Sequence, residues 1–327
     1  MIPVILLIIL LLCPSLSIEG ARQGLQLWFN VVIPTLAPFM ICTQIITLFG
    51  GMRYLMVPFA PILHALFGLS PSGGCILLCG LLCGYPLGAR MCADFASRRL
   101  ISSKEARYLL SICNHPSPMF LLGFVREQLS GNPSPVLLLL CLYLPVIPLS
   151  RISRYVYGIT GNTPVSCEAP VSIQELTSRK TPADDLQKKR LSLDEILLNT
   201  CETLVVIGGY IMLFSILAVW INQIFFLPPT TKAVLCGLAE ITTGIHKLCI
   251  CPELSSRLLP VIAVTAFGGF SGIFQTRSVI RSAGKDNVMS CNEKNAGLSI
   301  RHYVVWKLLH AILSCITVIL LQQVPLP

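Results

Sequence analysis

Charge is scarce in this sequence. Only 12% of its 327 residues are Asp, Glu, Lys or Arg, against about 25% in an ordinary soluble domain. The hydrophobic share is 54% and the mean hydropathy is +0.75. That balance excludes a soluble globular protein. It predicts a polytopic membrane protein whose chain is divided into spans of about 20 residues. Acidic residues are scarcer than basic ones, 15 against 24, for a net charge of +9. The positive charges gather in three loops between apolar runs, 90–107, 151–195 and 277–301. The positive-inside rule puts such loops in the cytoplasm, so the partner is the lipid bilayer and no nucleic acid is expected.

Catalytic signatures are missing too. There is no GxSxG, no HExxH and no phosphate-cradling GxxxxGK[ST], and the five histidines are scattered. Nothing points to an enzyme, and no cofactor is expected. The fifteen cysteines do not form a metal pattern: Cys249 and Cys251 make a lone CxC with no second pair nearby. Cys75, Cys79 and Cys83 recur every four residues and read as a stripe of small side chains for close helix packing.

Glycine and proline, by contrast, recur inside the apolar runs. Residues 2–16 read as a retained membrane segment, because a signal peptide would carry a basic start. Glu19 to Gln26 reads as a short polar connection, and Leu25 to Gly50 as a span kinked at Pro34 and Pro38. Ser72 to Leu87 is short and Gly-rich, a half-helix dipping into the membrane. Ser102, three residues before Glu105, predicts a capping box and a helix from about Ser103 to Cys113. Asn114-His115-Pro116-Ser117-Pro118 breaks that helix, and Val136 to Leu149 reads as the next span.

From Ile196 the pattern returns. Cys79-Gly80-Leu81 pairs with Cys236-Gly237-Leu238, and Ser117-Pro118-Met119-Phe120 with Ser271-Gly272-Ile273-Phe274. The expected fold is an all-α polytopic membrane protein of two related halves with broken or re-entrant helices. The expected boundaries are an N-terminal half over 1–150, a cytoplasmic linker over 151–195 opening into a helix capped by Ser192, and a C-terminal half over 196–327. Charge parity requires one segment between 195 and 277 to re-enter on its own side, and Ala233 to Ile245 is the candidate.

Interrupted helices at corresponding places point to a transporter site. A broken helix exposes main-chain N–H groups, which favour an anion. The candidate substrate-binding residues are Asn114, Ser117, Gly84, Tyr85 and Gly88 in the first half, and Gly268, Gly269, Ser271 and Gln275 in the second. Glu240 is an acid within a short apolar segment and is followed by Thr242 and Thr243. Carboxylates inside membranes are expensive, so these three are candidates for coupling to a proton or ion. His115 reads as a local hydrogen-bond partner and Arg90 as a positive-inside residue.

The motifs together resemble the YlbJ, or SpoVV, family of sporulation integral membrane proteins. The residues that carry the resemblance are Ile33-Pro34-Thr35-Leu36-Ala37-Pro38-Phe39, Gly84-Tyr85-Pro86-Leu87-Gly88-Ala89-Arg90, Glu105-Ala106-Arg107, Cys113 to Phe120, Gly237 to Gly244 and Gly268 to Gln275. The resemblance implies Gate-type (nucleoside-recognition) repeats and a place in the outer forespore membrane. It also implies movement of dipicolinic acid, a dianion, toward the forespore. Nucleosides are the alternative substrate class, and a non-transporting role in membrane assembly is the alternative function.

Overall fold

The structure, a computed structural model, describes residues 7, 10–48, 57–97, 99–159, 193–283 and 298–323. The Ser192 cap, residues 160–192 of the expected linker, most of residues 2–9 and residues 284–297 of the third basic loop lie outside these residues.

All regular structure among the described residues is helical. In chain order the helices are α1 (Pro14–Leu27), α2 (Ile33–Leu48), α3 (Ala60–Phe67), α4 (Pro71–Cys83), α5 (Leu87–Ser97), α6 (Ser103–Ile112), α7 (Pro118–Phe120), α8 (Arg126–Gln128), α9 (Pro135–Tyr143) and α10 (Val146–Tyr157). The second half follows with α11 (Leu193–Asn222), α12 (Pro229–Ala239), α13 (Ile241–Ile250), α14 (Leu258–Phe267), α15 (Gly269–Ala283) and α16 (Ile300–Gln323). Among the described residues, five stretches are long and apolar enough to cross a membrane: Pro14–Ile46, Pro135–Tyr157, Ile196–Asn222, Leu258–Arg281 and Ile300–Gln323. The chain is an all-α polytopic integral membrane protein. The outer faces of α11 and α16 carry exposed Leu198, Val205, Leu217, Val305, Ile312 and Leu320, a surface suited to lipid.

The first span differs from expectation. Glu19 to Gln26 is not a connection but part of a helix that continues through a π-turn (Trp28–Val32) into α2. The reason lies in Gly20 and Gly24, one helical turn apart. A Cβ on Gly20 would stand 2.7 Å from Ile216 Cα, and one on Gly24 2.8 Å from Met212 Cα. Small residues at this spacing let two backbones touch, so α1 packs directly on α11. The polar residues pair along the helix, Gln23 Nε2 donating to Glu19 Oε1 at 2.8 Å. At the π-turn, Thr35 Oγ1 donates to the carbonyls of Val31 (2.7 Å) and Val32 (3.2 Å), supplying a donor beside Pro34, which has none.

The short helices of the first half start and stop for local reasons. Helix α4 meets α3 at a 96° bend. It opens on Pro71 with Ser70 Oγ accepting from Gly73 N at 3.0 Å. Helix α6 opens as predicted, with Ser102 Oγ accepting from Glu105 N at 3.1 Å. The other half of the expected capping box is not made. The Glu105 carboxylate instead accepts from Ser70 N at 2.9 Å, so one acid fixes the starts of two helices. A Cβ on Gly73 would collide with it. Between α4 and α6 lie Ile76, Leu77, Leu109 and Ile112, fully buried.

The order of elements repeats. In the first half two short helices, α4 and α5, precede α6, a break, the helical run α7–α8, and the span α9–α10. In the second half α12 and α13 precede α14, a break, α15, and the span α16. Helices of 13, 11, 11 and 10 residues are each too short for a bilayer core of about 30 Å at ~1.5 Å per residue.

Candidate functional site

The glycines of the first motif exist for the second motif to dock on. A Cβ on Gly80 or on Gly88 would collide with the carbonyl oxygen of Cys113. That carbonyl ends α6 and has lost its helical partner; it sits between the two glycines of the α4–α5 pair. Gly84 lies at φ +78°, and a Cβ there would stand 2.8 Å from Ser117 N. Tyr85 N donates to His115 O at 3.0 Å. The break at 113–117 and the turn at 84–86 are therefore one unit.

The second half repeats this docking. A Cβ on Gly244 would collide with Gly237 Cα across the turn between α12 and α13. Gly268 and Gly269 have φ of +84° and +67°, a conformation open to glycine at little cost. A Cβ on Gly269 would lie 3.2 Å from Gly237 O and 3.4 Å from Ile241 N. Here too the second break rests on the first.

Glu240 forms the turn itself and is buried, 1% exposed. Its Oε2 accepts from Thr243 N at 2.7 Å and from the Thr242 hydroxyl, capping α13. Ser117 does the same for α7, its Oγ accepting from Phe120 N at 3.2 Å. The sequence reading left these helix starts open to an anion. In the folded chain both are capped by the protein's own side chains, one of them a carboxylate.

The breaks meet around a small cavity of about 40 Å³. Its walls are Gly84, Tyr85, Pro116, Ser117 and Phe120 from the first half, and Glu240, Ile241, Thr242 and Gln275 from the second. The long helices close it with Val32, Thr35 and Leu36, and with Ile207 and Ile211. At ~10–15 Å³ per water, the space takes a few waters, and a larger solute needs the walls to part. Six of the twelve candidate residues line it: Gly84, Tyr85, Ser117, Gln275, Glu240 and Thr242.

The other candidates lie behind the walls. Asn114 Nδ2 donates to Thr276 Oγ1 (2.9 Å) and to the Tyr303 hydroxyl (2.7 Å). Ser271 is fully buried and accepts from Gln275 Nε2 at 3.0 Å, orienting a cavity residue. Thr243 lies 3.5 Å from the Ser215 hydroxyl of α11. Gly88 and Gly269 serve close approach as above, and Gly268 faces Lys307 and Tyr85. Arg90 is more than a loop charge: its Nη1 donates to Thr203 Oγ1 at 2.6 Å, tying α5 to α11.

The sequence reading missed a polar cluster on α16. Lys307 is 2% exposed and His310 is fully buried. Lys307 Nζ donates to Asn114 O at 3.3 Å, and no carboxylate pairs with it among the described residues. The His310 ring packs on that of His115, centroids 4.2 Å apart. His115 lies against the backbone of Ile112, the local partner expected of it, and neither ring nitrogen makes a hydrogen bond of regular geometry among the described residues. The signal was present: a lysine inside an apolar span is as expensive as the acid singled out at position 240.

Comparison with known proteins adds one relative. No family model matches the chain, and no solved structure matches it. Among curated proteins it is similar to the "Sporulation integral membrane protein YlbJ" of Bacillus subtilis (strain 168). The two are 28% identical over 292 residues, covering 82% of this chain and 71% of that protein. This similarity supports the YlbJ family, the resemblance carried by the motifs.

Proposed function

We propose that this protein is a transporter that moves a small anionic solute, dipicolinate, across the outer forespore membrane during sporulation. The observation that carries the reading is the cavity: broken helices of both halves converge on it, and polar groups line it inside an apolar protein. Irregular backbone at membrane depth is tolerated where it lines a cavity, and paired breaks are where transporters bind solute. Gln275, Ser117 and Tyr85 are the first solute contacts, and the Gate-type repeats are the two docked pairs of breaks. Similarity to a sporulation integral membrane protein supports a membrane role in sporulation. No catalytic role is proposed for any residue.

A second reading has its own support. The one charged side chain among the cavity walls is Glu240, which suits a neutral nucleoside better than a dianion. Uptake by proteoliposomes of the purified full chain separates the two. Saturable dipicolinate entry that uridine does not inhibit supports the first reading. Uridine entry alone selects the second. Entry of neither, in folded protein, selects a non-transporting assembly role.

A further inference from the structure

The cluster on α16 lies where the broken helices end. Lys307 Nζ bonds to the carbonyl of Asn114, just past the end of α6. On its other side is Gly268, at the end of α14: a Cβ there would stand 3.6 Å from Lys307 Cε and 3.9 Å from Nζ. Helix C-terminal ends carry unpaired carbonyls and partial negative charge. In transporters with broken helices such ends hold the coupling cation. Here an ammonium group occupies that place.

His310 lies one turn further along. Its Nδ1 is 3.4 Å from Ala266 O, in the last turn of α14, and its Nε2 is 2.9 Å from Leu142 O. A carbonyl only accepts. A ring with an acceptor at each nitrogen makes both bonds only when both nitrogens carry hydrogen. The two carbonyls therefore favour the doubly protonated ring, against its burial and the positive charge of Lys307 one turn away. The titratable groups beside the cluster are His115 from the first break, whose ring packs on that of His310, Tyr85 from the α4–α5 turn, which meets Gly268 alongside Lys307, and Tyr303 on α16 itself, which shares Asn114 with Lys307. From α9 the Leu142 carbonyl reaches His310, while Tyr143 is held on Pro116 and Tyr157 of α10 on Trp306. Glu240 lies beyond Tyr85, across the break.

We propose that Lys307 and His310 form a proton-carrying site at the meeting point of the two breaks. The proton comes from water on one side, passes in series through the second nitrogen of His310 and the Lys307 amine, and leaves to water on the other side. No other bond changes. Asn114 links this site to Ser117 and the cavity through the break backbone, so movement of the breaks changes both at once. Coupling of that proton to a solute rests on the transporter reading; proton binding itself does not.

Two measurements test it. The first needs no solute: the melting temperature of the detergent-purified full chain is followed from roughly pH 5 to pH 9, the range in which His and Lys sites titrate once perturbed. The comparison is with Lys307→Met and His310→Asn. A proton bound here makes the wild-type and variant curves diverge with pH; parallel curves overturn the proposal. The second uses proteoliposomes with a trapped pH dye. Added dipicolinate moves protons in the wild type, and Lys307→Met lowers that movement at least tenfold while dipicolinate exchange persists. Lys307→Arg, which keeps the charge and cannot release its proton, serves if the methionine variant does not fold, and it also stops proton movement. Undiminished proton movement in these variants overturns the proposal. Diverging melting curves with no wild-type flux of dipicolinate or uridine support the proton site and contradict the transporter reading.

Discussion

The main-chain amide of Tyr85 donates to the carbonyl of His115 at 3.0 Å. This bond joins two stretches that look like separate interruptions in the sequence. With Gly80, Gly84 and Gly88 packed against residues 113–117, it makes a single rigid piece of broken backbone. The same relation recurs where Gly269 rests on Gly237. The cavity is lined by both of these pieces and closed by the long helices.

That packing leaves no room for a methyl group. Gly80→Ala and Gly88→Ala are expected to destabilise the protein by about 1–3 kcal/mol, the range for overpacking. Gly209→Ala is the control: nothing lies within 4 Å of its added Cβ, and in a helix interior alanine is favoured by about 1 kcal/mol. Melting temperature in detergent distinguishes the three. Equal melting of all three would show that the glycines are not close-approach residues.

Glu240 has two separable roles. As the cap of α13 its loss in Glu240→Ala is expected to lower stability by about 0.5–2 kcal/mol. Glu240→Gln keeps an amide oxygen for Thr243 N, so its melting point stays near wild type. If the charge itself matters to transport, Glu240→Gln still lowers solute flux at least tenfold. Flux at the wild-type level in Glu240→Gln reduces the residue to a cap.

Asn114 holds the cavity from behind. Asn114→Ala leaves the buried hydroxyls of Thr276 and Tyr303 without their shared partner, at about 1–3 kcal/mol. Ser271→Ala releases Gln275. Both variants are expected to express and fold while carrying less solute in the proteoliposome assay. Normal flux in both would remove them from the transport path.

The contact of α1 with α11 depends on two glycines. Gly24→Leu would drive a side chain into Met212 and Ser215, and folded monodisperse protein is expected to fall sharply on size-exclusion chromatography. Arg22→Ala, between the two glycines in sequence, is expected to leave the profile unchanged. Similar profiles for both would contradict the close packing.

Much of the fold was legible because lipid leaves few choices. Low charge and long apolar runs fixed a helical membrane protein, and Gly and Pro inside those runs marked the breaks at Gly84–Pro86, Asn114–Ser117 and Gly268–Gly269. What failed were readings that treated polarity as local. Glu19 to Gln26 looked like a connection, yet only one face of that helix is polar, and Gly20 and Gly24 face α11. Glu105 matched a capping box with Ser102, yet its carboxylate serves Ser70, a partner distant in sequence. Half of the candidate site residues line one cavity, because breaks with unpaired backbone must be buried together. Lys307 and His310 escaped notice because they interrupt neither the helical period nor the apolar average of the last span.

The most direct test of the cavity as a solute path is its access from each side of the membrane. Gln275→Cys is placed in a background lacking the other reactive cysteines and reconstituted in oriented liposomes. It is then treated with an impermeant maleimide from either face. Alternating access predicts labelling from both faces, with dipicolinate slowing both reactions. Labelling from one face only, or labelling that dipicolinate leaves unchanged, would contradict a path through the cavity between the breaks.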